Sequence, residues 1–131
     1  MSPAAEPSIR IAVVDDDRIL LEVFSTLMKK YNYRTHFFVS PVEALAKISE
    51  VRGHFNLVIS DIRMPIMDGI QFAKKIREIE PNLPIILMTG DITDEARKAA
   101  LSINRVVFLE KPFPLESTLK EFIPKFLKGE I

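Results

Sequence analysis

Cysteine is absent from the 131 residues, which excludes disulfides, thiolate metal sites and a thiol nucleophile and fits a cytoplasmic chain. An excess of one charge is missing too, since 18 basic residues balance 18 acidic ones. No segment concentrates Lys and Arg among aromatics, which argues against direct nucleic-acid binding. The opening segment 1–8 carries Pro3 and Pro7 but no apolar stretch. It reads as a flexible N-terminal tail, neither a signal peptide nor a membrane span. Histidine is scarce: His36 falls in a strand candidate and His54 in a loop, and both read as structural or exposed. No internal repeat is visible.

What is present is an ordinary globular composition, 47% hydrophobic and 27% charged. That suits one soluble α/β domain with a single core, burying roughly two-thirds of its unfolded surface. From Ile9 onward, short β-branched or apolar runs alternate with stretches of helical period. The strand candidates are Ile9 to Val14, Tyr33 to Val39, Leu57 to Ser60, Ile85 to Thr89 and Val106 to Leu109. Most read as buried on both sides, the mark of a parallel sheet covered by helices. Leu20, Phe24, Leu27 and Met28 recur at helical spacing, as do Val42, Leu45, Ala46 and Ile48 after Pro41 in a first helical turn. Ile70, Ala73, Ile76 and Ile79 line a third helix that Asp68 or Gly69 opens and Pro81 stops. Thr93 caps a lightly anchored fourth, faced by Ala96, Ala99, Ala100 and Ile103. The last begins near Leu115 and buries Leu119, Phe122, Ile123 and Phe126, and Pro124 is expected to kink or break it. Every connection is long enough for a right-handed crossover, so a doubly wound five-stranded parallel sheet follows. Ligands in such sheets bind outside the carboxyl ends of the strands.

Those ends are unusually polar. The first strand closes on Asp15, Asp16 and Asp17, the third on Asp61, the fourth on Thr89 and Gly90, and the fifth on Glu110, Lys111 and Pro112. Two carboxylates ~4 Å apart repel by roughly 4 kcal/mol at an effective dielectric of about 20, so three that converge call for a cation. With only carboxylate and carbonyl oxygens on offer, Mg²⁺ is the natural candidate. Taken singly, each residue has a plainer role. Asp15 to Asp17 would cap the first helix, with Asp17 beside Arg18 as the cap itself, and Asp61 would be a turn residue before Pro65. Lys111 would be a surface lysine and Phe108 ordinary core. The case rests on four strand ends agreeing.

In order along the chain, Val13-Val14-Asp15-Asp16-Asp17, the stretch from Leu57 through Asp61-Ile62-Arg63-Met64-Pro65-Ile66-Met67-Asp68-Gly69, Met88-Thr89-Gly90 and Phe108-Leu109-Glu110-Lys111-Pro112-Phe113 resemble the receiver domain of two-component response regulators. The resemblance covers Ile9 to Leu127, leaving 128–131 as a C-terminal tail. It implies a flavodoxin-like (βα)5 fold with strand order 2-1-3-4-5. It implies that Asp61 is the phosphoacceptor and that Asp15, Asp16, Asp61 and the backbone carbonyl of Arg63 hold Mg²⁺. Lys111 would neutralise the phosphoryl group, Thr89 and Phe108 would form a switch pair, and the bond to Pro112 would be cis. Gly90 would leave room for the phosphoryl group. Arg63 and Asp91 would pair across the mouth and limit attack by water.

The expected partners are a sensor histidine kinase or phosphotransfer protein as donor and an output protein or domain, with a phosphorylation-dependent homodimer also in view. Direct nucleic-acid and membrane contacts are not expected, nor is turnover beyond the domain's own phosphorylation and dephosphorylation. Leu101 to Arg105 and Pro124 depart from the family pattern on the face it uses for output. Two rivals stand beside this reading. A haloacid-dehalogenase-type phosphatase would use Asp15 as nucleophile but leaves Asp61 to Gly69 unexplained, and a constitutive binding module would never be phosphorylated.

Overall fold

The computed structural model describes residues 9–64, 66–90 and 92–131. The expected N-terminal tail, Pro65 and Asp91 lie outside them. Five strands, β1 (Ile9–Val14), β2 (Tyr33–Phe38), β3 (Leu57–Asp61), β4 (Ile85–Thr89) and β5 (Val106–Glu110), pair in parallel in the order β2-β1-β3-β4-β5. Helices α1 (Arg18–Lys30), α2 (Pro41–Glu50), α3 (Gly69–Ile79) and α4 (Asp94–Leu101) connect them. A fifth helical stretch, α5, covers 115–127.

Strand residues alternate between two apolar clusters, as the period of a pleated strand requires. Ile11, Val13, Leu57, Ile59, Ile86 and Met88 meet Phe24 and Met28 of α1 and Leu119, Ile123 and Phe126 of α5. Ala12, Val14, Val58, Ile85 and Leu87 meet Ala44 and Ile48 of α2, Phe72, Ala73 and Ile76 of α3, and Ala100 of α4. The register sets Val14 beside Phe38 and Ser60, Asp61 beside Met88, and Thr89 beside Glu110. The polar strand ends therefore share one edge.

Local chemistry fixes where the helices begin. Asp17 accepts from the amides of Ile19 and Leu20, Asp68 forms a capping box with Gln71, and Thr93 accepts from the amide of Ala96. In α2 the buried face differs from expectation: Pro41, Ala44 and Ile48 turn inward, whereas Val42 and Ala46 are exposed. Proline at the first position takes the inward place and rotates the stripe by one residue.

Pro124 does not break α5. An α-helical turn at Leu115–Ser117 passes into a π-helical turn at Thr118–Phe122 before α-helix resumes over Ile123–Leu127. The amide of Ile123 donates to Thr118, five residues back. This wider ring shifts the bonding ahead of the proline, which has no N–H and would crowd the carbonyl four residues before it. The carbonyl of Leu119 is left with no helical donor, because Ile123 is committed to Thr118 and Pro124 has nothing to donate. The hydroxyl of Tyr33 supplies the bond at 2.6 Å. At the far end Gly129, at φ 79°, lets residues 128–130 donate back to the helix carbonyls as a cap.

Candidate functional site: an acidic cluster at the strand ends

Asp15 extends β1, its amide donating to Phe38 at 3.0 Å. Its side chain is 1% exposed, and Oδ1 accepts from the amide of Asp17 at 2.9 Å. Asp16 beside it faces solvent, and Asp61, the last residue of β3, is half-buried. One carboxylate oxygen from each of Asp15, Asp16 and Asp61 lies within 4.8 Å of the others. Lys111 Nζ is 3.6 Å from Asp15 Oδ2 and 3.6 Å from Asp61 Oδ2. The Lys111 amide donates to Thr89 at 2.7 Å, which ties the lysine to the end of β4, and the following bond to Pro112 is cis.

Burial raises the pKa of Asp15, and the nearby Asp61 and Asp16 carboxylates push the same way. The Asp17 amide and the Lys111 ammonium oppose them. Asp15 Oδ2 is buried and has no hydrogen-bond partner. A lone ammonium 3.6 Å away cannot balance three carboxylates. An orphaned buried oxygen among converging hard oxygen donors fits a metal ion, and that donor set suits a hard divalent cation.

The remaining expected residues surround this cluster. Thr89 is 2% exposed at the end of β4, and Gly90 is exposed, where an added Cβ would meet only Lys111 Cβ at 4.0 Å. Arg63 is exposed two positions beyond Asp61. Its expected partner Asp91 lies outside the described residues. Phe108 is half-buried and packs against the α2–α4 cluster. A cavity of about 210 Å³ lined by Thr89, Gly90, Ile92, Arg97 and Glu110 lies between α4 and the strand ends. On the other side, Leu20, Phe24, Lys111, Pro112, Phe113 and Leu115 line an apolar pocket of about 380 Å³. His36 and His54 are both exposed, and His36 stacks on Phe38 at 5.1 Å.

Three features escaped the sequence reading. Gly69 abuts the end of β3 so closely that a Cβ there would sit 2.5 Å from the Asp61 carbonyl oxygen and 2.8 Å from Ile62 Cα. Arg97 of α4 places its guanidinium 5.5 Å over the Phe108 ring and pairs with Glu110 at 2.5 Å. Ile66 is 89% exposed with φ 75°, a conformation that β-branched residues rarely adopt. Only the glycine had a visible signal, since it follows the capping Asp68 directly.

A doubly wound parallel sheet carrying an acidic triad and an opposing lysine at its strand ends has the layout of a signalling module. The sequence profile of the response regulator receiver domain matches residues 11–123, and the chain belongs to that family. It is 36% identical over 110 residues to the C4-dicarboxylate transport transcriptional regulatory protein DctD of Rhizobium meliloti, covering 84% of this chain and 23% of the relative. It is 31% identical over 121 residues to hybrid signal transduction histidine kinase M of Dictyostelium discoideum, covering 86% of this chain and 5% of that protein. The chain thus spans less than a quarter of either curated relative. The structure of a CheY-like receiver domain protein from Methanospirillum hungatei superposes with TM-score 0.82 at 26% identity, over 95% of this chain and 99% of that one. Among the described residues no helix is long and apolar enough to cross a membrane.

Proposed function

We propose that Asp61 accepts a phosphoryl group, with Mg²⁺ bound, from a phosphohistidine on a sensor histidine kinase or phosphotransfer protein, and that the modified domain switches a protein-binding surface. The observation that carries this reading is the convergence of Asp15, Asp16 and Asp61 within 4.8 Å, with Lys111 3.6 Å from two of them. Asp15, Asp16, Asp61 and the Arg63 carbonyl would hold the ion, which when bound supplies charge neutralisation for carboxylates and phosphoryl oxygens together.

An Asp61 oxygen attacks phosphorus in line with the departing imidazole. The P–O bond forms as the P–N bond breaks, and the leaving nitrogen keeps the electron pair and takes up a proton from solvent. Lys111 holds its ammonium where the transferred oxygens gain charge, and it cannot itself act as base while paired with two carboxylates. Thr89, buried beside it, offers a hydroxyl to the phosphoryl oxygens. Phe108 then follows into the space next to Thr89, and Arg63 with Asp91 restricts water. The new charge-assisted bonds bias two conformations, so output is a change in protein affinity. Working partners are the donor and an output protein or domain, with homodimerisation as one form of output, in the cytoplasm.

Intact-mass measurement after incubation with acetyl phosphate and Mg²⁺ tests the reading. One Mg²⁺-dependent adduct on Asp61, lost in Asp61→Asn, is the expected result. An adduct on Asp15 overturns it in favour of a phosphatase, and no adduct in favour of a constitutive module.

A further inference from the structure

Arg97 sits where a switch would be restrained. Its guanidinium bridges two strand residues at once, lying 5.5 Å over the Phe108 ring and reaching Glu110 at 2.5 Å. Arg97 and Glu110 also line the cavity beside Thr89, and Phe108 does not. The half-buried Phe108 ring thus has a cation seated on its face, anchored to the strand that carries it.

We propose that Arg97 is a latch: by bridging Phe108 and Glu110 it holds the switch ring out of the Thr89 cavity, and phosphorylation at Asp61 must open this bridge before the output surface changes. The inference rests on the phosphorylation reading above and deepens it by naming what sets the resting equilibrium.

The physical argument is one of linkage. Ring entry moves the aromatic face away from the guanidinium or drags Arg97 off Glu110, so the resting conformation keeps both attractions and the switched one loses at least one of them. A contact made only in the resting state shifts the equilibrium by its own differential strength and no more. Cation–π and ion-pair contacts at half-exposed positions are individually modest. That suits a latch, because a strong one would demand more from the phosphoryl group than a few new hydrogen bonds provide.

The test compares acetyl phosphate phosphorylation rates of the wild-type chain, Arg97→Ala and Glu110→Gln, with Mg²⁺ present and thermal unfolding recorded for each. Arg97→Ala is expected to raise the rate about three- to ten-fold, the combined worth of the two contacts. Glu110→Gln, which keeps the shape and loses the charge, is expected to fall between it and the wild type. Raising salt from about 0.1 M to about 1 M, which shortens the screening length from about 10 Å to about 3 Å, should narrow the gap between wild type and Arg97→Ala. Equal or slower phosphorylation of both folded variants overturns the latch while leaving Asp61 as acceptor. Absence of any adduct in the wild type overturns the underlying reading instead. If Arg97→Ala does not fold, Glu110→Gln decides alone: a rate no higher than wild type sinks the proposal.

Discussion

Two glycines flank the carboxylate cluster and carry opposite steric loads. At Gly69 a Cβ would be driven to 2.5 Å from the Asp61 carbonyl, a backbone atom that cannot rotate away, whereas at Gly90 it would meet Lys111 Cβ at an ordinary 4.0 Å. Gly69→Ala is expected to cost about 1–3 kcal/mol and to displace Asp61. Gly90→Ala should unfold within about 0.5 kcal/mol of wild type. Chemical denaturation of both variants checks this, and equal losses would mean that the close approach at Gly69 is relieved by movement of α3. The contrast was not legible in the residues alone. Both glycines stand in family-like motifs, and only the packing of α3 against the end of β3 separates them. Asp15, Asp16, Asp61 and Lys111 were legible, because polar residues close four apolar strands at one edge of the sheet, although each alone has a plainer role.

Among the elements, α5 shows how a local rule is met from a distance. The π-helical turn ahead of Pro124 strands the Leu119 carbonyl, and Tyr33, at the start of β2, donates to it at 2.6 Å. Tyr33→Phe should therefore cost about 1–3 kcal/mol, the penalty for a buried acceptor left unmade, although the substitution removes a single oxygen. Burial also raises the Tyr33 pKa above its ordinary 10.0. In the unfolded chain the phenol ionises at the ordinary value while the folded one stays protonated. Its contribution to stability is thus unchanged below pH ~10 and is lost as the pH climbs past it. Ultraviolet titration should show Tyr33 ionising late, and early ionisation would contradict its bond to Leu119. The sequence signalled the disturbance at Pro124 but not its resolution, which depends on a residue in another element. For α2 the error ran the other way. Val42 and Ala46 fit the helical period as well as their neighbours, and only the inward seat of Pro41 decides the face. Glu110 stood among the polar strand ends, but Arg97 carried no signal until α4 was laid beside β5.

Across the whole molecule, the two apolar layers fix five strand ends against one another and so hold like charges together. Burial raises the pKa of Asp15, and its Oδ2 has no hydrogen-bond partner, a cost to the fold that a bound cation would remove. Mg²⁺ at about 100 times its dissociation constant should stabilise the folded chain by about 2.7 kcal/mol. Asp15→Asn should raise the melting temperature without Mg²⁺ and abolish the Mg²⁺-induced rise, as thermal melts would show. A variant that melts lower without the metal, or still responds to it, would place the cation elsewhere.

The order in which the cluster is assembled has a further consequence during synthesis. Asp15 and Asp61 leave the ribosome well before Lys111, which follows Asp61 by about 50 positions, or roughly 2.5–10 s at about 5–20 residues per second. Until β5 is made, the nascent chain carries its acidic residues with neither the lysine nor the fifth strand that aims it. The fifth strand thus supplies the neutralising charge, and the acidic edge cannot close on itself before β5 has emerged.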